Sequence, residues 1–268
     1  MELLISTNMY TAENVRKVLA YLRPFEYKTG VELFPMFHKT EYEEVLQECL
    51  PELTRVPVSF HGPYYGAEHS APYGTEKYRN TMSMFRKTLE YGRYLNCRYL
   101  VFHHNNRRVE FENREEMIRN SCKNFRTAEE LCGKYRIPLL VENAGVKSNG
   151  NMLFDQDEFV ELCKREKYQV LIDIGHAHAN GWNLSQVMET LRDQIAAYHL
   201  HNNDGIHDSH QRIHNGTLDF GRFAEDCRAF TPDADLVLEY SLAVSDDTEG
   251  IMEDIRELQE RMIRTDGK

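Results

Sequence analysis

The sequence has few of the features that mark membrane, secreted or disulfide-stabilised proteins. None of its uninterrupted apolar runs approaches the roughly 20 residues needed to cross a bilayer. Its first residues, MELLISTNMY, lack the basic start and the long apolar segment of a signal peptide. The six cysteines form no CxxC pair, and we expect them to be buried as small hydrophobic side chains. These absences predict a cytoplasmic protein with no membrane segment.

Positive charge is also scarce, because 32 Lys and Arg residues face 43 Asp and Glu residues and leave a net charge of −11. This surplus repels phosphodiester backbones at long range. It argues against general nucleic-acid binding but does not exclude it, since bound divalent cations would offset several charges where a phosphate docks. A small molecule is therefore the expected partner, and the sequence leaves the oligomeric state open.

Glycine is missing from the turn after the first strand-like run, which reads STNMYTAENV. A doubly wound open sheet with a phosphate-binding turn would have a Gly-rich sequence there. The chain instead alternates eight strand-like runs with amphipathic stretches, several of which open on Thr or Asp at an N-cap position. The runs are LLIST, VELF, VPVSF, RYLVF, IPLLV, QVLID, IAAYHL and LVLEY. This alternation predicts an α/β fold, a (β/α)₈ TIM barrel, with one domain over residues 1–268.

Metal-binding side chains follow the apolar runs at nearly every later strand. Because side chains alternate along a strand, residues two apart face the same way, and the carboxyl ends of all barrel strands meet on one face. The strand-end residues are His61, His103, Glu142, Asp173, His199 and Glu239; His176 follows Asp173, and a loop DSH adds Asp208 and His210. Mixed nitrogen and oxygen ligands suit Zn²⁺, Mn²⁺, Co²⁺ or Fe²⁺, so we expect a divalent metal cofactor, zinc or manganese first.

Single residues of this set have ordinary alternatives. A lone histidine such as His61 is more often packed in the core or hydrogen-bonded to solvent than bound to a metal. An unpaired carboxylate at Glu142 or Asp173, directly after an apolar run, would cost several kcal/mol, which favours a cation. His104 is expected to face the helix layer. We expect substrate contacts from Tyr64, His201 and Trp182.

Three strings carry a family resemblance: VENAG, LIDIGHAHANG and YHLHNNDGIHDSHQRIHNGTLDF. In order and spacing they resemble the xylose isomerase-like TIM-barrel superfamily, which contains endonuclease IV, sugar isomerases and sugar epimerases. The resemblance to epimerases implies that one ion is held by Glu142, Asp173, His199 and Glu239, with the two glutamates as acid and base.

The resemblance to endonuclease IV implies three zinc ions instead. The additional ligands would be His61, His103, His176, Asp208 and His210, with Tyr64 near the substrate pocket. This chain departs from endonuclease IV after the loop ligands, where it reads His-Asn-Gly at 214–216 in place of Gly-Glu-Gly. It also reads HNND where endonuclease IV has Asn-Asp-Ser-Lys.

Three hypotheses follow from these residues. The first is a metal-dependent isomerase or epimerase of a sugar, sugar phosphate or related polyol, in which His176 and His210 hold substrate oxygens. The second is a multi-zinc phosphoester hydrolase that acts on abasic DNA or a small phosphate ester. The third is a non-catalytic metal-binding barrel.

Overall fold

The computed structural model describes residues 1–263, and eight parallel strands form one closed barrel within them. The strands are β1 Leu3–Ser6, β2 Thr29–Leu33, β3 Val58–Phe60, β4 Leu100–Phe102, β5 Leu139–Glu142, β6 Gln169–Asp173, β7 Ile195–Leu200 and β8 Asp235–Leu238. Each strand pairs with the next along the chain, and β8 pairs with β1. The predicted TIM barrel is confirmed as a single TIM barrel domain; residues 264–268 of the predicted range lie outside the described residues.

Among residues 1–263 there are eight α-helices, two after β6 and one after each of the other strands from β2 to β8. They are α1 Thr40–Leu53, α2 Glu76–Tyr94, α3 Arg114–Tyr135, α4 Gln156–Glu166, α5 Ile174–Ala179, α6 Leu184–Thr190, α7 Phe220–Phe230 and α8 Thr248–Arg261. Thr75 and Asp155 cap α2 and α4 through their side chains, as the sequence predicts. Within residues 1–263, no helix has the length and apolar character that a membrane crossing demands.

The first crossover differs from the predicted α-helix, because residues Ala12–Tyr21 form a 3₁₀ helix. Its buried side chains are Ala12, Val15, Val18 and Tyr21, a spacing of three. A 3₁₀ helix has three residues per turn, so this spacing places all four on one face against the barrel.

Side-chain alternation divides the core into an outer and an inner part. The outer part packs strands against helices, whereas a small inner cluster fills the barrel with Tyr99, Val101, Leu140, Leu171 and Ala197. Each of the last four residues is followed, two positions later, by a ligand-type residue: these are His103, Glu142, Asp173 and His199. Because the strand repeat is two, these four face the barrel axis as the next layer, at the carboxyl ends of the strands.

An ion pair fastens the opposite end of the barrel. Asp235, at the start of β8, accepts bonds from Arg98 Nε at 2.7 Å and Arg98 Nη2 at 3.0 Å. Its Oδ1 also accepts from the backbone N–H of Glu2 at 2.8 Å. A single buried carboxylate therefore ties the chain before β4 and β1 to β8.

Replacing this carboxylate should destabilise the barrel without affecting its other end. We expect Asp235→Ala to lower the free energy of unfolding by about 2 kcal/mol, below the usual effect of breaking a buried pair because Arg98 is partly exposed. Urea unfolding measures the change. Asp233→Ala, at an exposed neighbouring aspartate, is the control and should change the free energy by less than about 0.5 kcal/mol.

Candidate metal centre

Four side chains converge at the centre of the barrel mouth. His199 Nδ1 lies 3.3 Å from Glu239 Oε2, 3.5 Å from Glu142 Oε2 and 3.8 Å from Asp173 Oδ2. All four residues are at most 3% exposed. The structure therefore brings together the residues predicted to hold the central ion, and three carboxylate oxygens surround one ring nitrogen.

A second cluster lies beside the first and shares Glu142 with it. His61 Nε2 and His103 Nε2 lie 3.1 Å apart, and Glu142 Oε2 is 3.7 and 2.9 Å from these two nitrogens. Two facing imidazole nitrogens and one carboxylate oxygen form a compact set of ligand atoms.

The third cluster is built largely from the loop after β7. Asp208 contacts His176 Nε2 at 3.2 Å through Oδ2 and His210 Nε2 at 3.1 Å through Oδ1. His176 Nδ1 lies 3.3 Å from Glu142 Oε1, so this ring connects the third cluster to the first two. Asp173 caps α5 by accepting from the backbone N–H of His176 at 2.6 Å, which fixes both residues at the start of this helix.

Three of the histidine rings are each oriented by a hydrogen bond on the side away from the clusters. His61 Nδ1 bonds the carbonyl of Gly62 at 2.7 Å, and His103 Nδ1 bonds Asn106 Oδ1 at 3.2 Å. His210 Nδ1 bonds the carbonyl of Glu239 at 2.9 Å. Because these acceptors take the N–H, the other nitrogen presents its lone pair to the cluster, as a metal ligand must.

Several buried polar atoms in the clusters make no hydrogen bond of acceptable geometry among residues 1–263, although other cluster atoms lie 3.1–3.8 Å from them. They are Glu142 Oε1, His176 Nδ1, His199 Nδ1 and Asp208 Oδ1. Buried polar atoms are nearly always paired, so unpaired atoms that converge in one place call for a missing partner. A divalent cation satisfies several such atoms at once, and the mixed nitrogen and oxygen donors fit zinc or manganese.

Charge in the clusters shifts the histidine pKa values in both directions. Burial disfavours the cation of His199, yet Glu239, Glu32 and Glu142 outweigh it and hold the pKa well above its usual value. His210 behaves alike: burial is outweighed by Asp208, and its pKa rises to about 9. For His61 burial prevails, and its pKa falls well below the usual value.

The carboxylates also differ. Burial raises the pKa of Glu239 to about 7, even though His199 and His210 oppose the shift. Burial acts on Glu142 as well, but His103 and His199 overcome it and hold its pKa well below the usual value. Two neighbouring carboxylic acids thus prefer different protonation states.

A cavity of about 180 Å³ opens above the three clusters. It has room for several waters, which suits a small polar molecule. One wall is aromatic, with Phe34 stacked on His61 at 4.2 Å and Tyr64 and Tyr65 beside it. The other wall has Asn105, Gly145 and Asn151.

Two of the predicted substrate contacts do not reach this cavity. His201 is fully buried, and its Nε2 bonds Asp173 at 2.9 and 3.0 Å. Trp182 packs against Phe159 at 5.7 Å in the helix layer. The structure places neither residue at the cavity: His201 contacts Asp173, and the partly buried Trp182 packs against the core. Tyr64 does line the cavity.

Glu32 was not among the predicted site residues. It is fully buried, and its carboxylate oxygens lie 3.1 and 3.2 Å from His199 Nε2. It lies within the apolar run VELF, so a test for carboxylates inside apolar strands would have found it. Phe34, Asn105 and Asn151 carried no comparable signal, because their positions depend on loop geometry.

Comparison with known proteins shows the family to which the chain belongs. The model of the xylose isomerase-like TIM barrel family matches residues 28–261. The chain belongs to this family. No curated protein sequence matches the chain.

Solved structures share the family fold over almost their whole length. A D-tagatose 3-epimerase-like protein has a TM-score of 0.74 at 18% identity, with 97% of this chain and 99% of that chain covered. The IOLI protein, solved with a zinc atom, has a TM-score of 0.75 at 17% identity, with 98% of both chains covered. An AP endonuclease of family 2 from Brucella melitensis has a TM-score of 0.71 at 16% identity, with 98% and 100% covered. At such identities the likeness shows the fold alone.

Gly175 allows His201 to reach Asp173, and this can be tested. A Cβ on Gly175 would lie 2.0 Å from His201 Cε1 and 2.6 Å from its Nε2. We expect Gly175→Ala to displace the ring from Asp173, to cost about 1–3 kcal/mol of stability, and to weaken zinc binding. Calorimetry and chelator competition measure the two effects. Gly133→Ala, in α3 with no atom within 4 Å of the new Cβ, should change neither adversely.

The pKa shifts predict that the metal-free protein becomes less stable between pH 7 and 9. His176, His199 and His210 have raised pKa values, so the stability from their protonation is complete below about 6.5 and is lost as pH passes the folded value, about 9 for His210. Glu239 contributes below this window, because a raised carboxyl pKa costs stability as pH rises from its usual value to about 7. Cations would replace these protons, so zinc-loaded protein should keep its melting temperature. Melting curves with chelator and with zinc measure the difference, and parallel pH profiles would contradict the assignment.

Proposed function

We propose that this protein is a divalent-metal-dependent isomerase or epimerase of a sugar, sugar phosphate or related polyol. The observation that carries the proposal is the position of Glu142 and Glu239. Their Oε2 atoms lie 3.5 and 3.3 Å from the same His199 nitrogen, on the floor of a cavity sized for a small polar molecule.

The two carboxylates suit proton transfer at a carbon next to a carbonyl. Glu142, with its lowered pKa, is ionised at neutral pH and can accept the proton at a carboxylate oxygen. Glu239, whose Oε2 lies 3.3 Å from the same His199 nitrogen, is placed to return the proton. A cation held by Glu142, Asp173, His199 and Glu239 would supply polarisation of the carbonyl, which makes the neighbouring C–H more acidic.

The cavity walls support a sugar-like substrate. Phe34 and Tyr64 offer apolar surface for the C–H face of a sugar ring, and Asn105 and Asn151 offer amides for hydroxyl groups. His176 and His210 face the same cavity and can bond substrate oxygens where they do not hold an ion.

A multi-zinc phosphoester hydrolase is the second candidate. It is favoured by the completeness of the second and third clusters, which add five candidate ligands to the central four: His61, His103, His176, Asp208 and His210. Three ions would activate water and offset charge developing on phosphorus. The small cavity and the net charge of −11 favour a small phosphate ester over duplex DNA.

Solvent exchange tests the first candidate. We expect the manganese- or zinc-saturated protein to incorporate deuterium from D₂O at the carbon next to the carbonyl of at least one ketose, keto-sugar or sugar phosphate, measured by NMR. Glu239→Gln should slow the exchange by about 10²–10⁴-fold, the usual contribution of a general acid or base. Glu249→Gln, at an exposed glutamate of α8, is the control and should leave the rate unchanged.

The competing outcome is equally specific. Hydrolysis of an aryl phosphate or of an abasic duplex, with no exchange on any sugar tested, would replace the first candidate with the second. Elemental analysis supports the choice, since about three zinc ions per chain favours the hydrolase and about one favours the isomerase.

A further inference from the structure

Glu32 is a buried carboxylate with no lysine or arginine beside it in the described part of the chain. It lies on β2, is fully buried, and has no Lys or Arg within 4.0 Å among residues 1–263. Its partners are His199, through both carboxylate oxygens, and Ser59, whose Oγ donates at 3.5 Å. Because burying an ionised carboxylate is costly, we expect Glu32 to affect the properties of a partner that it contacts.

The bond to Glu32 sets the orientation of His199. In His61, His103 and His210 the Nδ1 atom is held by the protein and Nε2 faces the clusters. His199 is reversed: Nε2 is held at 3.1 Å, and Nδ1 faces the three carboxylates of the central cluster. The carboxylate of Glu32 accepts the Nε2–H, so Nδ1 is the nitrogen that would give its lone pair to a cation at the centre.

We propose that Glu32 is a positioning residue for the central cation, and that it acts through His199. It fixes the ring and its tautomer, and its negative charge makes Nδ1 a stronger donor to a cation. The proposal rests on the cation site of the proposed function but not on its reaction. Glu32 lies on β2, across the barrel from the strands of the central cluster. No other residue of β2 belongs to that cluster.

Two variants separate charge from orientation. Glu32→Gln keeps an acceptor for Nε2 but removes the charge, and Glu32→Ala removes both. Outer partners of metal-bound histidines typically contribute 10–100-fold in affinity. We therefore expect zinc affinity at the central site, measured by chelator competition, to fall by about 10-fold in Glu32→Gln and by up to about 100-fold in Glu32→Ala. Cobalt-loaded variants should also show an altered visible spectrum, because the ligand geometry at His199 changes.

Asp235→Asn is the matched control. Asp235 is also a buried carboxylate on a barrel strand, but it lies at the opposite end and pairs with Arg98. Asp235→Asn should lower the melting temperature, whereas the zinc affinity and the cobalt spectrum should stay as in the wild type.

A purely structural role for Glu32 makes a different prediction. Its variants would then lower the melting temperature of metal-free and zinc-loaded protein equally, and the zinc affinity would stay within twofold of the wild type; this result would overturn the proposal. If Glu32→Ala does not fold, Glu32→Gln decides alone by the same measurements. Wild-type protein that binds no divalent cation would remove the proposed function too, whereas unchanged affinity in the variants removes only the role of Glu32.

Discussion

The structure of the barrel mouth depends on the burial of negative charge with no lysine or arginine beside it among the described residues. Five carboxylates lie there: Glu32, Glu142, Asp173, Asp208 and Glu239. Their charged contacts within 4.0 Å, among residues 1–263, are all with histidines. Such a group is stable only if protons or cations neutralise it, because ionised carboxylates are costly to remove from water. The histidines can accept either.

This constraint links the two candidate functions. Both use the same floor, and they differ in what occupies the clusters beside the central one. Ions there would make a site for activating water, whereas a substrate there would leave His61, His103 and His210 free to bond hydroxyl or phosphate oxygens. The aromatic wall of Phe34 and Tyr64 is compatible with a sugar or a phosphate ester. Under the two proposals, the number of bound ions would therefore decide the chemistry, and the shared fold would not.

Much of the fold and of the centre could be predicted because both follow from strand periodicity. Apolar runs that end on ligand-type residues identified His103, Glu142, Asp173 and His199. In each strand the residue two positions earlier fills the barrel interior, so these four side chains face the same way. His104, adjacent to His103, faces the helix layer against Phe125 and Phe154 as expected.

What could not be predicted depends on tertiary packing. Trp182 lies in a loop, and its packing on Phe159 depends on how α4 and α6 meet. The contact of His201 with Asp173 depends on Gly175 leaving space, which the sequence does not reveal. The 3₁₀ geometry of Ala12–Tyr21 shows only in the spacing of buried side chains against the barrel.

The candidate ligands lie on different parts of the chain, and this would affect how fast bound ions exchange. Glu142, Asp173 and His199 belong to strands locked into the closed barrel, whereas Asp208 and His210 lie on the loop between β7 and α7. His210 adopts a left-handed backbone conformation, with φ of 45°, which a histidine keeps only under constraint. Loops open locally far more often than barrel strands. Any cation held by Asp208 and His210 would therefore exchange with solvent faster than one held at His199, and the centre would lose and regain its ions in a fixed order.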